Sequence, residues 1–287
     1  MRVSALLFLA ITCLPAVVHA QAAAAQEPAK AQAPAIESEP IAELAKFTPR
    51  GVSLGVAVLW SQGILVGEDR RSFIVPTLGY EGDRLFFRGI NGGVRLYQRD
   101  GFEFDGILAV RLDGWDAKDL DASALAAVGI DRALLRDRKI GVDAGLGMAW
   151  TGKAGKINLE AKGDVTNASG GYEVGLGYRA AFKVGPGLLS PSVGVSYWSD
   201  SLTDYYYGTL DREEALGVPR YRPGAAVMPK IGLGYLQRLP HGWSLVTGVE
   251  VRWLPSEITN SLLVDDDSSR VPSVFVGVSR AFGAGAR

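Results

Sequence analysis

The chain has 287 residues, 47% hydrophobic and 21% charged, with 36 Gly, 1 Cys and 2 His. Its 30 Lys and Arg against 31 Asp and Glu leave a net charge of -1, which excludes the basic excess expected of a nucleic-acid binder. The single Cys excludes a disulfide framework or a multi-cysteine metal site, and beyond the N-terminus no apolar run reaches the roughly 18 residues of a spanning helix.

Residues 1–20 read as a secretory signal peptide. Arg2 supplies the positive start, Val3 to Leu14 the apolar core, and Val18-His19-Ala20 the small residues before a cut at Gln21. The apolar run is too short for a membrane anchor, and Ala10-Ile11-Thr12 is a poor lipobox for Cys13. Cleavage leaves no Cys and one His, His241. Residues 21–50 are rich in Ala, Gln, Glu and Pro with no aromatic before Phe47, so they read as a flexible periplasmic tail that buries too little surface to offset its ordering entropy.

From Gly51 the hydrophobic period becomes two. Ile157, Leu159 and Ala161 alternate with Asn158, Glu160 and Lys162, and Tyr172, Val174, Leu176 and Tyr178 with Glu173, Gly175, Gly177 and Arg179. A soluble sandwich also alternates, but its strands average about five or six residues, and these segments are about twice that. Ten residues at about 3.3 Å rise, tilted about 40°, span the apolar band of roughly 25 Å in an outer-membrane barrel. Aromatic residues such as Trp243 and Trp253 mark both ends of a segment, where amphipathic rings favour the interface.

The segments predict an all-β fold, a closed antiparallel transmembrane β-barrel of about 12 strands over 51–282. They lie near 51–60, 71–80, 84–90, 93–99, 102–112, 140–150, 156–165, 171–183, 188–198, 227–239, 242–253 and 271–282, followed by a short extension, 283–287. Strand two is interrupted by Pro76, and both its faces are apolar. Short connections such as Glu81-Gly82-Asp83 and Asp100-Gly101 alternate with long ones at 113–139, 199–226 and 254–270, all on one side. That matches periplasmic turns and outer loops in the outer membrane of a Gram-negative cell.

Ser190 to Gly208, running through Tyr197-Trp198-Ser199-Asp200 to Asp204-Tyr205-Tyr206-Tyr207, closely resembles the aromatic strand and loop of the MipA/OmpV family of outer-membrane proteins. Glu213-Glu214-Ala215, Tyr221-Arg222-Pro223, and Pro76, Tyr80 and Asp83 to Phe87 extend the likeness over 51–282. Arg280 two residues before Phe282, and the residues after Phe282, depart from the usual aromatic end of such barrels. The resemblance implies a non-enzymatic scaffold bringing a periplasmic lytic transglycosylase together with a peptidoglycan synthase. Alternatives within the family's range are a small pore or uptake channel, or a surface adhesin or antigen. Lipid of the outer membrane is the remaining partner.

The chain offers little for catalysis. Gly51-Val52-Ser53-Leu54-Gly55 fits the spacing of a nucleophile elbow but lies within a strand, not at a strand-to-helix turn. His241 falls in a Pro-His-Gly turn on the periplasmic side, away from the rim where barrel enzymes place histidine. Asp265-Asp266-Asp267 lacks the spacing of a calcium loop, and neither metal nor cofactor is expected. The candidate interaction residues are Tyr197, Trp198, Asp200, Asp204, Tyr205, Tyr206 and Tyr207, as an outer contact, a lumen constriction or a self-packed loop. The charges expected to line the lumen are Glu103, Asp105, Arg111, Asp143, Glu160, Lys162, Glu173, Arg179, Lys183, Lys230, Glu250 and Arg252. Both signs occur, so they predict an internal ion-pair network or a weakly selective pore.

Overall fold

The computed structural model describes residues 51–282; the expected leader, tail and C-terminal extension lie outside the described residues. Thirteen strand segments form one antiparallel sheet closed on itself. They are β1 (Gly51–Ser61), β2 (Arg71–Glu81), β3 (Leu85–Arg88), β4 (Asn91–Arg99), β5 (Phe102–Arg111), β6 (Gly141–Thr151), β7 (Lys156–Asp164), β8 (Tyr172–Arg179), β9 (Phe182–Val184), β10 (Gly187–Trp198), β11 (Ala226–Arg238), β12 (Trp243–Trp253) and β13 (Arg270–Phe282). Apart from β8 and β9, which both pair with β10, each pairs with its neighbour in sequence, and β1 closes on β13 from Val52↔Phe282 to Ser61↔Ser273.

The thirteen segments make twelve staves, because β8 and β9 lie end to end on β10. The alternating pattern reads through 171–183 without a break, yet the strand is interrupted at Ala180 and Ala181, both buried. Their neighbour on β10 is Pro191, which has no N–H to give the ladder. Its carbonyl still accepts from the Ala180 N–H at 3.1 Å, so the interrupted stave stays bonded to β10.

The two faces follow the sequence period. On β1, Val52, Leu54, Val56 and Val58 are exposed outward, while Ser53, Gly55, Ala57 and Leu59 face the lumen. Small inward residues let neighbouring staves approach. A Cβ on Gly248 would sit 2.3 Å from the Phe275 ring, so glycine makes room for that ring inside the barrel.

One end of the barrel carries short turns at 82–84, 100–101, 152–155, 185–186 and 239–242. In the last of these His241 adopts a positive φ of 62°. The other end carries the long loops 62–70, 112–140, 199–225 and 254–269. These hold short helices: α1 (Ala122–Ala127), α2 (Asp200–Tyr207), α3 (Asp211–Ala215) and α4 (Ser256–Thr259). Asp121 caps α1 by accepting from the N–H groups of Ser123 and Ala124, both at 2.8 Å, satisfying donors that the first turn leaves free. The Ser123 hydroxyl and those amides hold the Asp121 carboxyl below its ordinary range. Ser199 caps α2 through the Leu202 N–H.

Candidate functional site

The hydrophobic core of this barrel lies in the loops. Ile64, Leu65 and Val66 meet Trp115, Leu120, Leu125, Ile130 and Leu135, then Leu202, Tyr206, Tyr207 and Val218, and finally Leu254, Ile258, Leu263 and Val264 in a single cluster. Four loops that leave the rim at different points therefore converge into one roof, joined by Trp198 and Met228 from the strand ends. Dispersion and removal of apolar surface from water hold it, as in any protein interior.

An ion pair sits at the centre of the roof. Arg138 Nη1 lies 2.7 Å from Glu213 Oε1 and Nη2 2.9 Å from Oε2, and neither side chain is accessible to solvent. The guanidinium also donates to the carbonyls of Tyr205, Arg136 and Gly208, while its carbon lies 4.8 Å from the Trp115 ring centroid. Glu213 accepts further from the N–H groups of Arg136 and Leu210 at 2.7 and 2.8 Å. Burial without solvent is tolerated because both charges are paired and hydrogen-bonded on several sides.

This geometry distributes the aromatic loop between two places. Trp198, Tyr206 and Tyr207 are buried in the roof, with Trp198 and Tyr207 stacked at 6.1 Å between centroids. Burial raises the Tyr206 and Tyr207 hydroxyls above the ordinary tyrosine value, with Asp113 adding to it. The Tyr205 hydroxyl accepts from the Lys139 N–H at 2.8 Å, and Asp204 accepts from Gly224 N–H at 2.9 Å. Tyr197 lies on the outer face beside Tyr172, 6.1 Å away, and Asp200 is exposed.

Below the roof lies a chamber of about 750 Å³. Glu103, Asp105, Glu160, Lys162 and Arg179 line it, together with Glu81, Arg88, Arg95 and Lys156, which pattern alone did not single out. Lys156 Nζ lies 2.8 Å from Glu103, and Glu81 pairs with both Arg88 and Arg95. Between chamber and roof, Arg111 pairs with Asp143, Asp113 and Glu173, and Lys162 reaches Glu173 at 3.6 Å. Across the lumen Glu250 lies 3.7 Å from Lys230 and 4.0 Å from Arg252. Lys183 on β9 is exposed near the turn end and belongs to neither group. The lumen is thus two-sided. β3 to β8, with β11 and β12, carry most of its charges, whereas β13, β1 and β2 present Phe275, Gly277, Ala57, Leu59, Phe73 and Val75 along their middle.

Arg138 and Trp115 sit in a loop without periodicity, so the only sequence cue was an isolated Trp and a few charges. Among the described residues no group of three or more His, Cys, Asp or Glu is placed to hold a metal ion.

The family model described as MltA-interacting protein MipA matches residues 54–282. The outer membrane protein YiaT of Escherichia coli (strain K12) is 25% identical over 229 residues, covering 79% of this chain and 89% of YiaT. The MltA-interacting protein of the same organism is 28% identical over 203 residues, 69% of this chain and 77% of that protein. The outer membrane protein OmpV of Vibrio cholerae is 25% identical over 212 residues, 73% of this chain and 79% of OmpV.

Proposed function

The chain belongs to the MipA family of outer-membrane barrel proteins, and on that premise we propose that it is a non-enzymatic scaffold. It holds a lytic transglycosylase, and with it a peptidoglycan synthase, on the periplasmic side of the membrane. The name of the Escherichia coli relative, MltA-interacting protein, supports a partner of this kind. The observation that carries the reading is the contrast between the two ends of the barrel. Long loops form a packed roof over one mouth, and the other end presents short turns with exposed charges at Arg84, Arg99, Asp100, Lys153 and Lys183. With the short turns facing the periplasm, as in bacterial barrels generally, the side free for a soluble partner is the side on which peptidoglycan enzymes work.

Photo-crosslinkers placed at Asp100 and Lys153 in cells should capture a transglycosylase or a synthase, while crosslinkers at Leu216 and Leu262, exposed on the roof, should not. Absence of both enzymes from the turn-end crosslinks would overturn the reading. The chamber favours a second reading, a small pore, which conductance distinguishes.

A further inference from the structure

The wall of the barrel is incomplete between β2 and the β3–β4 hairpin. β2 pairs with β1 along its full length, from Gly51↔Glu81 to Ser61↔Arg71. On its other edge it pairs with β3 only at Gly79↔Arg88, Tyr80↔Phe87 and Glu81↔Phe86. The β3–β4 hairpin turns back at Gly89 and Ile90, and the last bond to β2 runs from the Gly89 N–H to the Leu78 carbonyl at 3.0 Å. On the far side the hairpin tip meets β5, where the Val110 N–H donates to the Ile90 carbonyl at 3.3 Å. Above this tip the roof begins, tied across by the Asp121 N–H to the Gly67 carbonyl at 2.8 Å and by the Glu68↔Leu120 bridge. Between sill and lintel, the half of β2 nearer the roof has no strand partner on that edge among the described residues.

Side-to-side alternation identifies what faces the gap. Because the Leu78 carbonyl points toward β3, the backbone groups of Pro76, Ile74 and Ser72 point the same way. Pro76 lacks an N–H, and proline within a sheet belongs on an edge with no partner to serve. Ile74 is 75% exposed, against 44% and 45% for Val58 and Val276, the outward residues in the same row of pairs. Its flank as well as its face is uncovered.

That row is apolar outside and lies at the level of lipid chains. An open sheet edge does not persist in hydrocarbon, since each unsatisfied backbone group costs several kcal/mol; it persists where it lines a wet cavity. Water reaching the Ser72 and Ile74 groups must come from the lumen, so lumen water and acyl chains meet at this gap. Directly behind it, Phe73 and Val75 face inward and continue onto Leu59 and Phe275, while the sill carries Arg88. We infer that the gap between β2 and the β3–β4 hairpin is a lateral port through which single-chain amphiphiles pass between the outer half of the bilayer and the lumen. The chain of such a molecule runs along the apolar inner strip, and its head stays in the wet, charged chamber. The inference is independent of the scaffold reading.

The test uses the full barrel with Cys13 absent, reconstituted in phospholipid vesicles. Ile74→Cys should react with a hydrophilic maleimide about tenfold faster than Val276→Cys, which lies in a paired part of the same row. A bimane probe on Val75→Cys should be quenched by bromododecanoate at least about twofold more than one on Ser192→Cys across the lumen, and Ile90→Trp at the hairpin tip should abolish the difference. Heat-modifiable migration of each variant confirms a folded barrel. Equal protection of the two outward cysteines would overturn the inference, and so would labelling of Ile74→Cys without preferential quenching at Val75→Cys.

Discussion

In the roof, Arg138 and Glu213 lie 2.7 Å apart with neither side chain exposed, whereas in the chamber Lys156 and Glu103 lie 2.8 Å apart with 40% and 23% of their side chains exposed. The distances are alike and the physics is not. The roof pair sits among Trp115, Tyr205 and backbone carbonyls, where removing one charge strands the other. The chamber pair keeps contact with solvent, which screens it and replaces either partner cheaply. One region uses charge to fix a packing arrangement; the other uses it to keep an interior wet.

The largest expected break in that contrast is Arg138→Ala. It leaves Glu213 buried and unpaired, so the roof should lose about 3–5 kcal/mol, read as faster amide exchange and proteolysis within 199–225 while the barrel strands stay protected. Arg138→Met with Glu213→Leu should recover much of the loss, because two apolar side chains of similar size leave no stranded charge.

A smaller effect should appear at high pH. Burial raises the Tyr207 hydroxyl above its ordinary value of 10.0. A group whose value is raised on folding contributes stability that is complete below its unfolded value and disappears as pH rises through the folded one. Absorbance near 295 nm should therefore show Tyr206 and Tyr207 ionising later than surface tyrosines, and loop protection should fall in that same range. Simultaneous ionisation of all tyrosines, with the loops still protected, would count against a packed roof.

The smallest effect belongs to the chamber. Lys156→Ala should change stability by about 0–1 kcal/mol, seen as little or no shift in the thermal midpoint, because its ion pair stays in contact with solvent.

The staves were legible in the sequence because lipid outside and a polar lumen inside impose a strict period of two. The roof was not, since Ile64, Trp115, Leu202 and Ile258 come together from four loops without any period. The aromatic run Tyr205-Tyr206-Tyr207 stood out by composition, but its partners Arg138 and Trp115, which donate to the Tyr205 and Tyr206 carbonyls, lie far away in the chain, and pattern does not show which rings are buried. Arg138 and Glu213 are 75 residues apart, and nothing local couples them. Pro191 and Pro76 were visible as residues; that one lies opposite the break between β8 and β9 and the other sits on an unpaired edge required the register.

The packed loops form a folded roof that separates the lumen from the outer side. Planar-bilayer conductance tests it most directly, comparing the wild-type barrel with Arg138→Ala and with a barrel lacking 199–225. The wild type should be silent, and discrete steps should appear once the roof is loosened or removed. Steady wild-type conductance equal to that of the roofless barrel would contradict it and would favour the pore.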